Sequence, residues 1–280
     1  MKRIILIFLA SIAFIPVPAQ DKTCGEACEK GSAPTLVHPW YGKRVAYFGD
    51  SITDPGTLNG GEFYRCLEEW LHITPYVYGV SGTRWDNIPT QMERLINEHG
   101  DDFDAIIIFM GTNDFNMGVP IGEWYKERAE GVMASTGEPL TEYKRLRRYP
   151  LMDPDTYRGC INIALDKLKR RFPTKQIVLL TPLHRGYFEY SETNLQPEEC
   201  YQNKCGEYID AYIESVKEAG SVWAVPVIDW SNLSGIFPLM EEHLQYFKNK
   251  EWDQLHPNRE GHRRMALTLC YQLLTLPCTF

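Results

Sequence analysis

Apolar residues along the chain alternate between short continuous runs and longer amphipathic stretches. Arg44–Phe48, Thr74–Tyr78, Ala105–Met110, Gln176–Thr181 and Val222–Asp229 read as strands. Ala105–Met110 is almost purely apolar, as a central parallel strand covered on both faces should be. Between these runs, helical spacing covers Phe63–His72, Asn87–His99, Tyr157–Phe172, Tyr201–Ala219 and Arg259–Leu274. Alternation of strand and helix predicts a parallel sheet between two helical layers. Right-handed crossovers then bring every strand's C-terminal end to one edge, where sites of open α/β sheets form.

Two segments break this rhythm. The interval 115–155 is too long for an ordinary connection, so it reads as either a pocket wall or a surface elaboration. The N-terminus has the layout of an export signal: Lys2 and Arg3, the apolar run Ile4–Ile15, then Val17-Pro18-Ala19 as a cleavage site. The run falls short of the about 20 residues that span a bilayer. The expected organisation is a signal at 1–19, an irregular lead-in at 20–40, and one domain at 41–280 carrying the 115–155 insertion.

Composition narrows the function. The formal net charge is −8, and removal of Lys2 and Arg3 with the signal makes it −10. General attraction to nucleic acid or anionic membrane is not expected, nor is a membrane anchor, and the oligomeric state is left open. All eight cysteines follow the expected cleavage site, which permits disulfides, but their spacings fix no connectivity and match no zinc motif. Neither a metal nor another cofactor is expected, because no H-E-x-x-H or similar ligand spacing occurs.

The chemistry-bearing residues lie just past the strands. Gly49-Asp50-Ser51 follows the first and Gly79-Val80-Ser81-Gly82 the second. Gly111-Thr112-Asn113-Asp114 follows the third, and Asp253-Gln254-Leu255-His256 lies near the end. Ser51, read at a helix start, would expose its hydroxyl in a favourable dipole, although a serine there is also an ordinary turn or cap residue. A three-residue spacing lets Asp253 and His256 come from one turn, and an imidazole needs such a carboxylate to hold its tautomer. Asp50 and Asp114 read as turn-stabilising carboxylates.

Together, in this order and at these separations, the four blocks resemble those of the SGNH, or GDSL, hydrolase superfamily, with Ile52 where that family often has Leu. The resemblance spans about Arg44 to Leu274. It implies a flavodoxin-like α/β/α sandwich on a five-stranded parallel sheet. It further implies an acyl-serine mechanism with Ser51 as nucleophile, His256 as base and Asp253 orienting it. The oxyanion would be held by the backbone N–H groups of Ser51 and Gly82 and by the Asn113 amide. The expected activity is an exported serine esterase acting on a small-molecule or glycan ester, with carbohydrate O-acetyl groups the favoured substrate. A lipase, phospholipase or thioesterase of the same superfamily is the alternative, and a non-catalytic glycan-binding protein a third reading. Trp85, His184 and Arg185 are candidate substrate contacts, and Trp124-Tyr125 a candidate stacking wall. His262 reads as structural. The basic run Lys144-Arg145-Leu146-Arg147-Arg148 reads as a solvated hairpin face or a carboxylate-recognising patch.

Overall fold

The computed structural model describes residues 38–57, 62–135, 137 and 139–280. The expected signal 1–19, all but the end of the lead-in, and Cys24 and Cys28 lie outside the described residues. In chain order the strands are β1 (Arg44–Gly49), β2 (Thr74–Val77), β3 (Ala105–Phe109), β4 (Tyr125–Ala134), β5 (Thr141–Pro150), β6 (Gln176–Leu180), β7 (Phe188–Ser191), β8 (Asn194–Gln196), β9 (Val227–Ile228), β10 (Phe247–Asn249) and β11 (Asp253–Pro257). The helices are α1 (Phe63–Leu71), α2 (Ile88–His99), α3 (Thr112–Met117), α4 (Tyr157–Arg171), α5 (Ile209–Trp223), α6 (Trp230–Leu233) and α7 (Arg259–Thr275).

β2, β1, β3, β6 and β9 form a parallel sheet in that order. Strand alternation sends residues to opposite faces. Ala46, Phe48, Ile106, Ile108, Ile177 and Leu179 join one core with residues of α2, α4 and α5. Val45, Tyr47, Ile107, Phe109, Val178 and Leu180 join a second core with residues of α1 and α7. This is the expected three-layer α/β/α sandwich, with β3 fully buried at its centre.

Two expected elements shift. The helix expected at Tyr201–Ala219 starts only at Ile209. Asn203 instead closes a turn with Oδ1, accepting from the backbone N–H groups of Cys205 and Glu207 at 2.9 and 3.1 Å. The strand expected at Val222–Asp229 shrinks to Val227–Ile228. α5 runs on through Trp223, whose indole N–H donates to Asn162 Oδ1 at 2.8 Å, and Ala224 caps it at φ +51°.

Two further sheets lie outside the parallel one. β10, β11, β7 and β8 form an antiparallel sheet in that order, which the hydrophobic pattern did not reveal. β4 and β5 form a ten-pair antiparallel ribbon, the main feature of the 115–155 insertion. Trp124 anchors its base: its carbonyl accepts from Leu151 N–H and Asn162 Nδ2 at 2.9 Å each, and its indole donates to Glu218 at 2.7 Å.

Among the described residues, Cys66, Cys160, Cys200, Cys205, Cys270 and Cys278 are free thiols, and no helix is long and apolar enough to cross a membrane. The stability of the sandwich should rest on β3. Ile107→Ala is expected to lower the unfolding free energy by about 2–5 kcal/mol, read from urea denaturation.

Candidate active site

The carboxyl edge of the parallel sheet gathers three of the four sequence blocks, and the antiparallel sheet supplies the fourth. Gly49 ends β1, and Asp50 and Ser51 lie in the turn beyond it. Asp50 closes this turn: its carbonyl accepts from Thr53 and Asp54 N–H, and its Oδ1 from Ile52 N–H at 3.0 Å. The chain does not enter a helix at Ser51. α1 begins only at Phe63, so the expected dipole assistance to Ser51 is not built this way.

Ser51 Oγ lies 2.9 Å from His256 Nε2. On the other side of the ring, His256 Nδ1 lies 2.9 and 3.1 Å from the two oxygens of Asp253. Asp253 and His256 share strand β11, where residues three apart would ordinarily face opposite sides. A local turn overrides that: Asp253 Oδ1 also accepts from the backbone N–H groups of Leu255 and His256, at 3.4 and 2.9 Å. The Phe188 ring packs edge-on against His256, centroids 4.9 Å apart.

Asn113, in α3, lines the same hollow as Ser51 and Gly82. Its Nδ2 donates to Thr83 O at 3.0 Å, which leaves the amide's second hydrogen for the hollow. The backbone N–H groups of Ser51 and Gly82 have no protein acceptor among the described residues. Gly111, just before α3, adopts φ +136°, and a Cβ there would sit 2.5 Å from the Tyr157 hydroxyl, so only glycine fits.

The hollow, about 580 Å³, has two walls. One is the edge of the parallel sheet, with Thr57, Ser81 and Gly82. The other is the antiparallel sheet, with Phe188, Asn194, Gln196 and Leu255, and with Tyr190, Trp252 and Lys248 beside them. Tyr190 is 78% exposed and Trp252 46% exposed, and both also line a second opening beside it. Among the described residues no three His, Cys, Asp or Glu side chains are grouped to hold a metal ion.

Trp85, His184 and Arg185, the expected substrate contacts, do not line this hollow. Trp85 is wholly buried in the core. His184 Nδ1 pairs with Glu199 Oε1 at 2.6 Å, and the ring packs on Phe237. The buried Arg185 guanidinium donates to Gln196 Oε1 at 2.6 Å and to the Thr112 carbonyl and hydroxyl at 3.4 and 3.3 Å. It thus ties the residue before Asn113 to the opposite wall. Trp124 is also buried, under the stacked Arg158, and Tyr125 sits at the ribbon's base, so neither forms a stacking wall here. His262 is buried against Phe63, and burial draws its pKa down to about 3.

Gln91 was missed by sequence reasoning. From α2 its Oε1 accepts from Gly49 N–H and its Nε2 donates to Gly49 C=O, both at 2.9 Å. A side-chain amide here mimics a neighbouring strand and fixes the backbone leading to Ser51. A polar residue on the core face of an otherwise amphipathic helix was the available signal. Gln91→Leu should strand the buried Gly49 N–H and cost about 1–3 kcal/mol, read by urea denaturation.

Charge is buried behind the site. Burial pushes Asp50 up to about 6 and Asp114 up to about 8, the latter despite accepting from Trp85 N–H. Burial draws Arg185 down to about 10. For Asp114 the ordinary value is 3.8, so between about 4 and 8 the folded state binds more protons than the unfolded one. Its contribution to stability is therefore greatest in acid and falls as pH rises through that window. Asp114→Asn should flatten this decline in urea denaturation across the same range. An unchanged decline would show that Asp114 does not titrate there.

The chain matches the GDSL-like lipase/acylhydrolase family over residues 47–264. No curated protein matches it. Solved structures share its fold. A protein from Lactobacillus plantarum is 22% identical, covering 83% of this chain and 97% of its own, with a TM-score of 0.63. A protein described as a possible lipase from Chitinophaga pinensis is 19% identical, covering 84% and 100%, with a TM-score of 0.57. A G-D-S-L-family lipolytic protein from Desulfitobacterium hafniense is 15% identical, covering 82% and 98%, with a TM-score of 0.51. With the family matched over most of the chain, and its blocks converging on one hollow, this protein belongs to the GDSL-like lipase/acylhydrolase family.

Proposed function

We propose that the protein hydrolyses carboxylic esters through an acyl-Ser51 intermediate. The observation that carries this is the unbroken path from Ser51 Oγ through the His256 ring to the Asp253 carboxylate, opening into the hollow. Ser51 Oγ attacks the ester carbonyl carbon as its proton passes to His256 Nε2. Asp253 holds Nδ1–H and stabilises the imidazolium. The tetrahedral oxyanion is met by the N–H groups of Ser51 and Gly82 and by Asn113 Nδ2, donors that need no reorganisation. Collapse expels the alcohol, which takes the proton from His256. Water, deprotonated by the same ring, then attacks acyl-Ser51 and releases the acid.

For the substrate we favour a short acyl group, acetyl above all, on a carbohydrate. Thr57, Ser81 and Asn194 put polar groups in the hollow beside Phe188 and Leu255, a mixed lining that suits a small acyl group on a polar alcohol. Tyr190 and Trp252 hold aromatic surface in solvent at the mouth, as a platform for a sugar ring would. The expected export signal agrees with an extracellular polymer as substrate. A pure binding role leaves the Ser51–His256–Asp253 arrangement without purpose.

Hydrolysis of p-nitrophenyl esters of increasing acyl length, and acetate release from acetylated glycans, test both levels. Ser51→Ala should abolish turnover, and Asn113→Ala should lower kcat by about 10²–10³-fold. Fluorophosphonate labelling should occur at Ser51. Activity confined to long acyl chains would overturn the acetylesterase reading, and absence of both turnover and labelling would overturn the esterase.

A further inference from the structure

Beyond Tyr125, which packs against the first core at its base, the ribbon of β4 and β5 stands apart from both cores, and most of its residues are exposed. An isolated two-stranded ribbon is marginal in water. Its pairing register sorts its side chains into two unlike faces. One face carries Glu127, Glu142, Lys144 and Arg148, a balance of charge. The other carries Lys126 opposite Tyr149, Arg128 opposite Arg147, Glu130 opposite Arg145, and Val132 opposite Tyr143. Four cations there face one carboxylate, in a protein of net charge −8.

Arg128 directly opposite Arg147 is the telling pair. Like charges across a strand pair destabilise it, and no core backs the ribbon at this pair. Glu130 relieves part of the repulsion, 3.8 Å from Arg128 and 3.5 Å from Arg147. It also accepts from the Tyr149 hydroxyl. The two guanidinium-bearing side chains are nevertheless 78% and 67% exposed, with donors turned to solvent. Arg147 lies over the Tyr149 ring at 4.8 Å and Arg145 over Tyr143 at 5.1 Å, which holds their planar forks in place. Same-face cations on one strand are about 7 Å apart, a ladder suited to a ligand with repeated anions.

We propose that this face is a docking surface for a linear carboxylate-bearing polysaccharide, separate from the catalytic hollow. Guanidinium forks pair with carboxylates in bidentate fashion. Arginine covers one face of the Tyr143 and Tyr149 rings, which leaves less aromatic surface for stacking nucleobases than for pairing guanidinium with carboxylate. The surface would hold a polymer while the hollow acts on an ester, and it stands independently of the esterase reading because binding is read without turnover.

The test is fluorescence anisotropy of labelled oligogalacturonate with the full chain, with a neutral dextran oligosaccharide as control. Binding to oligogalacturonate alone, weakening as salt rises, is expected. Arg128→Gln with Arg147→Gln should weaken it by about tenfold or more, since two of four screened cations are lost. Glu130→Gln should tighten it. If the double variant changes the circular dichroism, the affinity of Glu130→Gln alone decides. No binding, salt-insensitive binding, or unchanged affinity in the variants would overturn the proposal. So would a dimer seen by sedimentation, or binding to phosphatidylglycerol vesicles, without binding to oligogalacturonate.

Discussion

Covering the parallel sheet on both faces governs where chemistry can occur in this protein. β1, β3 and β6 send alternate residues into two apolar cores, so no position past their first residues can hold a charged group without desolvating it. Polar residues are displaced to the strand ends, and parallel pairing puts all those ends on one edge. The turns after β1, β2 and β3 therefore meet in space although they are far apart in the chain. Ser51, Gly82 and Asn113 line one hollow for that reason, with no direct bond among their side chains.

The edge has an electrostatic cost just beneath it. Asp50, Asp114 and Arg185 are each about 1% exposed, and Asp50 Oδ2 and Arg185 Nε have no hydrogen-bond partner among the described residues. Burial moves each toward its neutral form, the acids upward and the guanidinium downward. These side chains act on backbone and neighbours rather than reaching the hollow. Asp50 shapes the turn of Ser51, Asp114 meets the Trp85 amide, and Arg185 links Thr112 to Gln196. Local stability is surrendered to hold three loops in one relative position, a trade expected beneath a functional edge.

Much of this was legible in the sequence because its signals are local. The apolar run Ala105–Phe109 announces a buried strand, and each block follows its strand within a few residues. What escaped notice depends on partners distant in sequence. Gln91 is an ordinary polar residue until Gly49 is placed beside it. Phe188–Ser191 and Asn194–Gln196 are too short to stand out, and become strands only by pairing with each other and, through Phe188, with Asp253. Arg185 follows a strand as a site residue should, but its length lets it turn inward. The end of α5 was misread because Val222 and Trp223 suit a strand as well as a helix, and only the Asn162 contact decides. The ribbon's basic run was visible, but its separation into two faces required the register.

The antiparallel sheet has two duties that constrain each other. It forms the wall bearing Tyr190, Asn194 and Gln196, which bears on the choice of substrate, and it carries Asp253 and His256. Phe188 belongs to both, pairing with Asp253 in the sheet and packing edge-on against His256. A change of wall that moved β7 would also move the His256 ring, which the proposed mechanism needs within reach of Ser51. Substitutions at outward positions such as Tyr190 escape this coupling, because their side chains project into solvent. Side chains are therefore free to vary at the mouth of the hollow and tightly held at its floor. The ribbon is freer still, since its strands pair only with each other and its exposed face can change without disturbing either core.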